Sequence, residues 1–252
     1  MSPGVSNSSV VSPAVVSHGV THAAELGGHV LTRAELVDQA VGWPVTAERV
    51  LGAGNFTALL QDDITAPDGA TLQREYLRHP GAVGIIALDG EGRVALVRQY
   101  RHAVRHRLLE PPAGLLDVDG EDYVLAAQRE LAEEVGLAAD TWHVLVDLFT
   151  TPGIIAESLR VYLARDLRPA EAPDGFVKEG EEAEMELSWA PLVDLVDAVM
   201  AGDLHNPTMV SGVLAAWVAH LQGDDFATLR PADAPWPARD ANHNLGDDRQ
   251  TR

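Results

Sequence analysis

Gly114-Leu115-Leu116-Asp117-Val118-Asp119-Gly120-Glu121, seven further residues, then Arg129-Glu130-Leu131-Ala132-Glu133-Glu134-Val135-Gly136-Leu137 is the most informative stretch of this 252-residue chain. From about 121 to 135, apolar Val124, Ala127, Leu131 and Val135 return at steps of three and four. That is the period of an amphipathic helix, and Gly136 follows as a stop signal. On such a helix Glu130, Glu133 and Glu134 project from one side, opposite Val124 and Leu131. Like charges at this spacing cost an isolated helix about a few tenths of a kcal/mol per pair. A solvated acidic face is the plain reading of three such residues. A bound divalent cation is the other, because it reverses the sign of that cost. Oxygen donors without cysteine or histidine suit Mg²⁺, or alternatively Mn²⁺.

The rest of the chain narrows the choice. Eighteen basic against 38 acidic residues give a net charge of −20, which repels a nucleic-acid backbone and an anionic membrane surface. Neither partner is expected. An anionic ligand would need a cation or a local basic island. With no cysteine, disulfides, thiolate zinc sites and cysteine nucleophiles are excluded. The first 25 residues lack a basic region leading into an apolar run, and no stretch of about 18 apolar residues occurs, so a cytoplasmic location is expected.

Working outward, 55–64 and 70–78 read as a hairpin around Pro67-Asp68-Gly69, and 82–88 and 93–99 as strands split by an Asp-Gly-Glu-Gly turn. After the helix, 142–150, 158–164 and 185–189 read as strands. Helices over 191–200 and 207–221 are each opened by a proline. Strands mixed with helices in this order indicate an α+β domain with αβα layering. The expected organisation is a flexible leader over 1–45, an N-terminal antiparallel β region over 46–80, the main domain over 81–222 and a flexible acidic tail over 223–252.

The ordered set Gly114, Glu121, Arg129, Glu130, Glu133, Glu134 and Gly136, with aliphatic residues between, resembles the signature of the Nudix hydrolases, G-x5-E-x7-R-E-U-x-E-E-x-G-U with U aliphatic. One departure stands out: six residues, not five, separate Gly114 from Glu121, an insertion expected to be absorbed in the turn 117–120. The resemblance implies a Nudix αβα sandwich with a mixed sheet and hydrolysis of a diphosphate. It also implies that Glu130 and Glu134 ligate metal with help from Glu133, and that the Ala113 carbonyl adds an oxygen. Arg129 would orient the carboxylates, with Glu121 bracing the same network.

Flanking residues look like the ADP-ribose pyrophosphatase subfamily, in its actinobacterial form. Val97-Arg98-Gln99-Tyr100-Arg101-His102 and Leu109-Glu110-Pro111-Pro112-Ala113-Gly114 are similar to its R-Q-Y-R and E-x-P-A-G segments, and Thr151-Pro152-Gly153 with Glu157 to the segment after the helix. Ile154-Ile155-Ala156 departs from the polar residues usual there. Arg98, Arg101, Glu110 and Glu157 are the expected substrate residues, with Arg101 on diphosphate or ribose. The resemblance places the catalytic base in the acidic loop before the strand at 185–189. Glu182 is the choice there, with Glu181 and Glu184 as alternatives. It further implies a homodimer exchanging its N-terminal sheet. The expected activity is hydrolysis of ADP-ribose to AMP and ribose 5-phosphate. A broader nucleoside diphosphate sugar or NADH range is one alternative, and a non-catalytic ADP-ribose sensor another.

Overall fold

The computed structural model describes residues 27–171 and 185–244. The chain divides into two compact units, 1–41 and 42–252. In the described part of the first, a 3₁₀ turn over Arg33–Glu35 is held by the Thr32 amide and hydroxyl, which donate to Glu35 at 2.8 and 2.7 Å.

The second unit carries three sheets and four α-helices among the described residues. Strands β1 (Val45–Ala53), β2 (Ala58–Thr65) and β3 (Thr71–Arg78) form an antiparallel meander. Strands β4 (Ala82–Ala87), β5 (Arg93–Arg101), β6 (His106–Glu110) and β7 (Ala113–Leu115) follow, then helix α1 (Tyr123–Val135) and strand β8 (Leu137–Phe149). Strand β9 (Ile155–Ala156) joins the meander parallel to β3, and β10 (Ser158–Pro169) returns to the centre. Strand β11 (Ser188–Pro191), helices α2 (Leu192–Ala201) and α3 (Pro207–Leu221), strand β12 (Arg230–Pro231) and helix α4 (Pro237–Asn244) complete the chain.

The central sheet has the order β12-β8-β10-β4-β7, and β5 lies between β11 and β6 in a smaller one. Strand β10 runs parallel to β4 and antiparallel to β8, so the sheet is mixed. It is buried on both faces from Ser158 to Ala164. Tyr162 and Ala164 join the core under α1, with Val83, Ile85, Ala127 and Leu131. Val161 and Leu163 join the core under α2 and α3, with Ile86, Met209 and Val213. Two apolar layers around one mixed sheet are the expected αβα sandwich.

The three helices form close to where the apolar period of α1 and the opening prolines of α2 and α3 place them. Asn206 caps α3 by accepting the Met209 amide at 3.0 Å, with Pro207 at the first position. Strand β8 begins five residues before its expected start, because Gly136 ends α1 and the chain passes straight into the ladder at Leu137↔Pro169. Strand β1 has no counterpart in the pattern: all but one of its nine residues are exposed, so no alternation marks it.

The segment from 223 differs from the expected tail as far as Asn244. Phe226 and Trp236 are buried, β12 pairs with β8, and α4 follows. The cause is Arg160, a fully buried cation in a strand between apolar neighbours. It donates to Asp147 at 2.7 and 3.0 Å and to the carbonyls of Ala234 and Pro235 at 2.7 and 3.2 Å, and lies 4.7 Å from the Trp236 ring centre. The segment supplies what a buried guanidinium requires. No helix among the described residues is long and apolar enough to cross a membrane.

Candidate active site

Helix α1 packs Ala127, Leu131 and Val135 into the core and turns its acidic side toward β7. Arg129 stands among the carboxylates. It donates from Nε and Nη2 to both oxygens of Glu121, at 3.2 and 3.1 Å, and from Nη1 to Glu130 at 2.7 Å and Glu133 at 3.1 Å. Its pKa is raised above the usual arginine value, first by the bonds to Glu121, with burial opposing and the charge of Glu130 adding. The extra residue before Glu121 is accommodated in the turn, where Glu121 N–H donates to the Val118 carbonyl at 3.2 Å and Gly120 takes a φ of 76°. Glu121 therefore reaches Arg129 despite the insertion.

Glu134 lies one turn beyond Glu130, buried, and accepts the Ala113 N–H at 3.0 Å. The strand that carries Ala113 is thereby fastened to the acidic side of the helix. Gly114 permits this approach: a Cβ there would lie 2.0 Å from the Glu130 carboxyl carbon. Main chain and carboxylates thus meet here, and carboxylate oxygens are the donors a hard divalent ion takes. Among the described residues no three acidic or histidine groups already converge as a metal cage. Arg129 instead engages Glu130 and Glu133.

The remaining expected residues fall in different places. Arg101 and buried Glu110 come together across the β5–β6 hairpin in a two-pronged pair at 3.0 and 2.6 Å. Arg98 is exposed on β5, an odd number of residues from Arg101, so strand alternation sends the two to opposite faces. Glu157 accepts the Thr150 hydroxyl and has His79 Nδ1 3.4 Å away; its partners are not on α1. Glu181, Glu182 and Glu184 lie outside the described residues.

The match with the NUDIX domain spans residues 78–209. The chain belongs to the NUDIX family. An ADP-ribose pyrophosphatase of Mycobacterium tuberculosis is 45% identical over 190 residues, 75% of this chain and 89% of that protein. A methanol dehydrogenase activator of Bacillus methanolicus is 38% identical over 49% of this chain and 66% of its own. A crystal structure described as an ADP compounds hydrolase superposes with a TM-score of 0.61 at 23% identity, over 76% of this chain and all of that one; it bears on the fold alone.

Sequence reasoning missed the ring of groups around Arg160 and the burial of Arg239. Two signals were available: an arginine inside an otherwise apolar strand, and large aromatics at Phe226 and Trp236 in a segment rich in Asp and Pro.

Proposed function

We propose that this chain hydrolyses ADP-ribose to AMP and ribose 5-phosphate in the cytoplasm, with Mg²⁺ as cofactor and Mn²⁺ able to replace it. The observation that carries this is 45% identity across 89% of a protein named ADP-ribose pyrophosphatase, joined to the set of α1 carboxylates around Arg129. Glu130 and Glu134 would hold the cation, assisted by Glu133 and the Ala113 carbonyl. When bound, it would neutralise diphosphate charge and lower the pKa of an attacking water. Arg129, still held by Glu121, keeps the carboxylates oriented. Arg101 supplies positive charge to the diphosphate, with Glu110 fixing its fork and Glu157 on the substrate side; Arg98, on the other face of β5, takes no part in this site. Water adds to one phosphorus, the bridging oxygen leaves with the other phosphate, and Glu182 takes the proton.

A broader nucleoside diphosphate sugar range is the second reading. It is favoured by exposed Ile154, which lines a groove of about 370 Å³ with Ile155, Arg74 and Glu75, where an apolar wall is tolerant of different sugars. The functional unit in this proposal is a homodimer. Strand β1 ends its sheet and exposes Val45, Val50 and Leu51, a surface a second copy would cover. Sedimentation as a monomer would remove that part.

The test is product separation with ADP-ribose, GDP-mannose, NADH and diadenosine polyphosphates, in Mg²⁺, Mn²⁺ or chelator, on wild type and Glu134→Gln. Metal-dependent AMP from ADP-ribose, lost in the variant, is expected. Cleavage of another substrate alone would overturn the sugar assignment, and tight ADP-ribose binding without cleavage would point to a sensor. Glu182→Gln should lower turnover far more than metal affinity; unchanged turnover would move the base to Glu181 or Glu184.

A further inference from the structure

Acids outnumber bases so heavily in this chain that an arginine without a carboxylate invites explanation. Arg78 and Arg239 are two such residues, and both line the same cavity of about 650 Å³, a size suited to a small molecule. Arg239 is 5% exposed, and its guanidinium lies 5.3 Å from the Tyr123 ring and 5.6 Å from the Trp236 ring. The Nε is sealed from solvent and has no hydrogen-bond partner. Neither arginine forms an ion pair or side-chain hydrogen bond among the described residues. Ring faces offset part of the cost of burying a guanidinium; they do not satisfy its N–H groups.

The rest of the lining matches an anion with an organic group attached. His79 accepts the Gly81 N–H at Nδ1, 3.1 Å, so that nitrogen carries no proton and the ring's other nitrogen is a donor. Glu157, 3.4 Å from the same Nδ1, is then a neighbour and not an ion-pair partner. Phe56 is 54% exposed and meets the His79 ring edge-on at 6.1 Å, which leaves an apolar wall. Exposed Asp117 and Asp119 face the cavity from the loop that carries the extra residue, and are acceptors for hydroxyl groups. Gly81 makes room for the cation: at a φ of 90°, a Cβ there would lie 2.1 Å from Arg239 Nη1.

This cavity and the carboxylate cradle sit at opposite ends of one short ladder. Gly84 pairs with Ala113, which bonds Glu134, while the Gly81 carbonyl accepts the Leu116 N–H at the other end. The separation is three residues, about 10 Å along the strand. We propose that the cavity is a second ligand site, for a phosphate monoester of a small polyhydroxy compound. Its phosphoryl group lies between Arg239 and Arg78, and its hydroxyls are turned to Asp117 and Asp119. The loop that supplies these aspartates leads directly into Glu121, so an occupant would bear on the seat of Arg129.

The test is calorimetric titration of the full chain in chelator with inorganic phosphate, glucose 6-phosphate and glucose. Saturable binding of glucose 6-phosphate in a 1:1 ratio is expected, tighter than phosphate, with none for glucose. Arg239→Gln and Arg78→Gln should each weaken it by roughly tenfold or more, the effect of losing a charge-assisted hydrogen bond. Glu134→Gln should leave it unchanged. Arg78 is half-buried and outside the aromatic stack, so its variant decides the matter if Arg239→Gln does not fold. No saturation by about 10 mM ligand, phosphate binding as tight as the ester, or loss in Glu134→Gln with retention in Arg78→Gln would each overturn the proposal.

Discussion

Two arginines, one packed against the start of helix α1 and one at its middle, solve opposite problems. Arg160 lies 5.9 Å from the ring of Tyr123, the first residue of α1, and is closed on all sides by Asp147, two carbonyls and three aromatic rings. Arg129, nearly two turns along, is a quarter exposed and faces the carboxylates of Glu121, Glu130 and Glu133. One centre satisfies its cation with a carboxylate, shared with the more exposed Arg230, and with carbonyls and rings that exclude water. The other gathers three negative groups about one positive, a surplus that stability alone would not select. Surplus charge of one sign, kept within reach of solvent, is what a cation site requires before its cation arrives.

If that contrast is right, variants at the two centres should separate activity from stability. The largest effect is expected for Glu134→Gln: turnover of ADP-ribose should fall by roughly 10⁴-fold, about 5 kcal/mol of transition-state stabilisation. The glutamine retains an oxygen for the Ala113 N–H, so urea denaturation should show little change. Trp236→Ala is the converse. Loss of a buried indole beside Arg160 should cost about 4 kcal/mol of folding stability, while molecules that remain folded turn over normally. Trp236→Ala molecules that are folded and inactive would break the comparison.

Glu121→Gln sharpens it, because this residue touches Arg129 and none of the other carboxylates by the bonds described. Supporting groups of this kind typically cost about 10- to 100-fold when altered. The expected loss lies in that range and should be reduced by raising Mg²⁺. A loss as large as that of Glu134→Gln, insensitive to metal, would give Glu121 a direct part in the reaction.

What was legible in the chain divides along the same line. The active helix was readable because its apolar residues repeat at steps of three and four, the α3 helix because a proline opens its apolar run, and the carboxylates because their spacing is local. Strand β1 was not readable, since exposed residues on both faces leave no alternation. Nor were the burial of Trp236 and the docking of the 234–235 carbonyls, which depend on Arg160 more than seventy residues earlier. The Arg101–Glu110 pair joins two residues whose types suggested separate duties toward substrate; in the β5–β6 register Arg101 stands opposite His106 and Glu110 opposite Val97, and the two meet because the long Arg101 side chain reaches back along the ladder. Pattern reads neighbours along the chain; it does not read which distant group satisfies a buried charge.

The smallest expected effect concerns His79, whose charge is neither balanced like that of Arg160 nor in surplus like that around Arg129. Burial, more than any other influence, depresses its pKa below the ordinary 6.5; the charge of Glu157 opposes this and that of Arg239 adds to it. The folded chain then binds fewer protons here than the unfolded chain, so the neutral ring's contribution to stability is complete above 6.5 and is lost as pH falls through the depressed value. Urea midpoints should therefore decline between about pH 7 and pH 5, and His79→Gln, which retains an acceptor for the Gly81 N–H, should flatten part of that decline. An identical slope in the variant would assign the acid sensitivity to other groups. A steeper slope would mean that Glu157 gains more from a protonated His79 than burial costs, making the pair a genuine salt bridge.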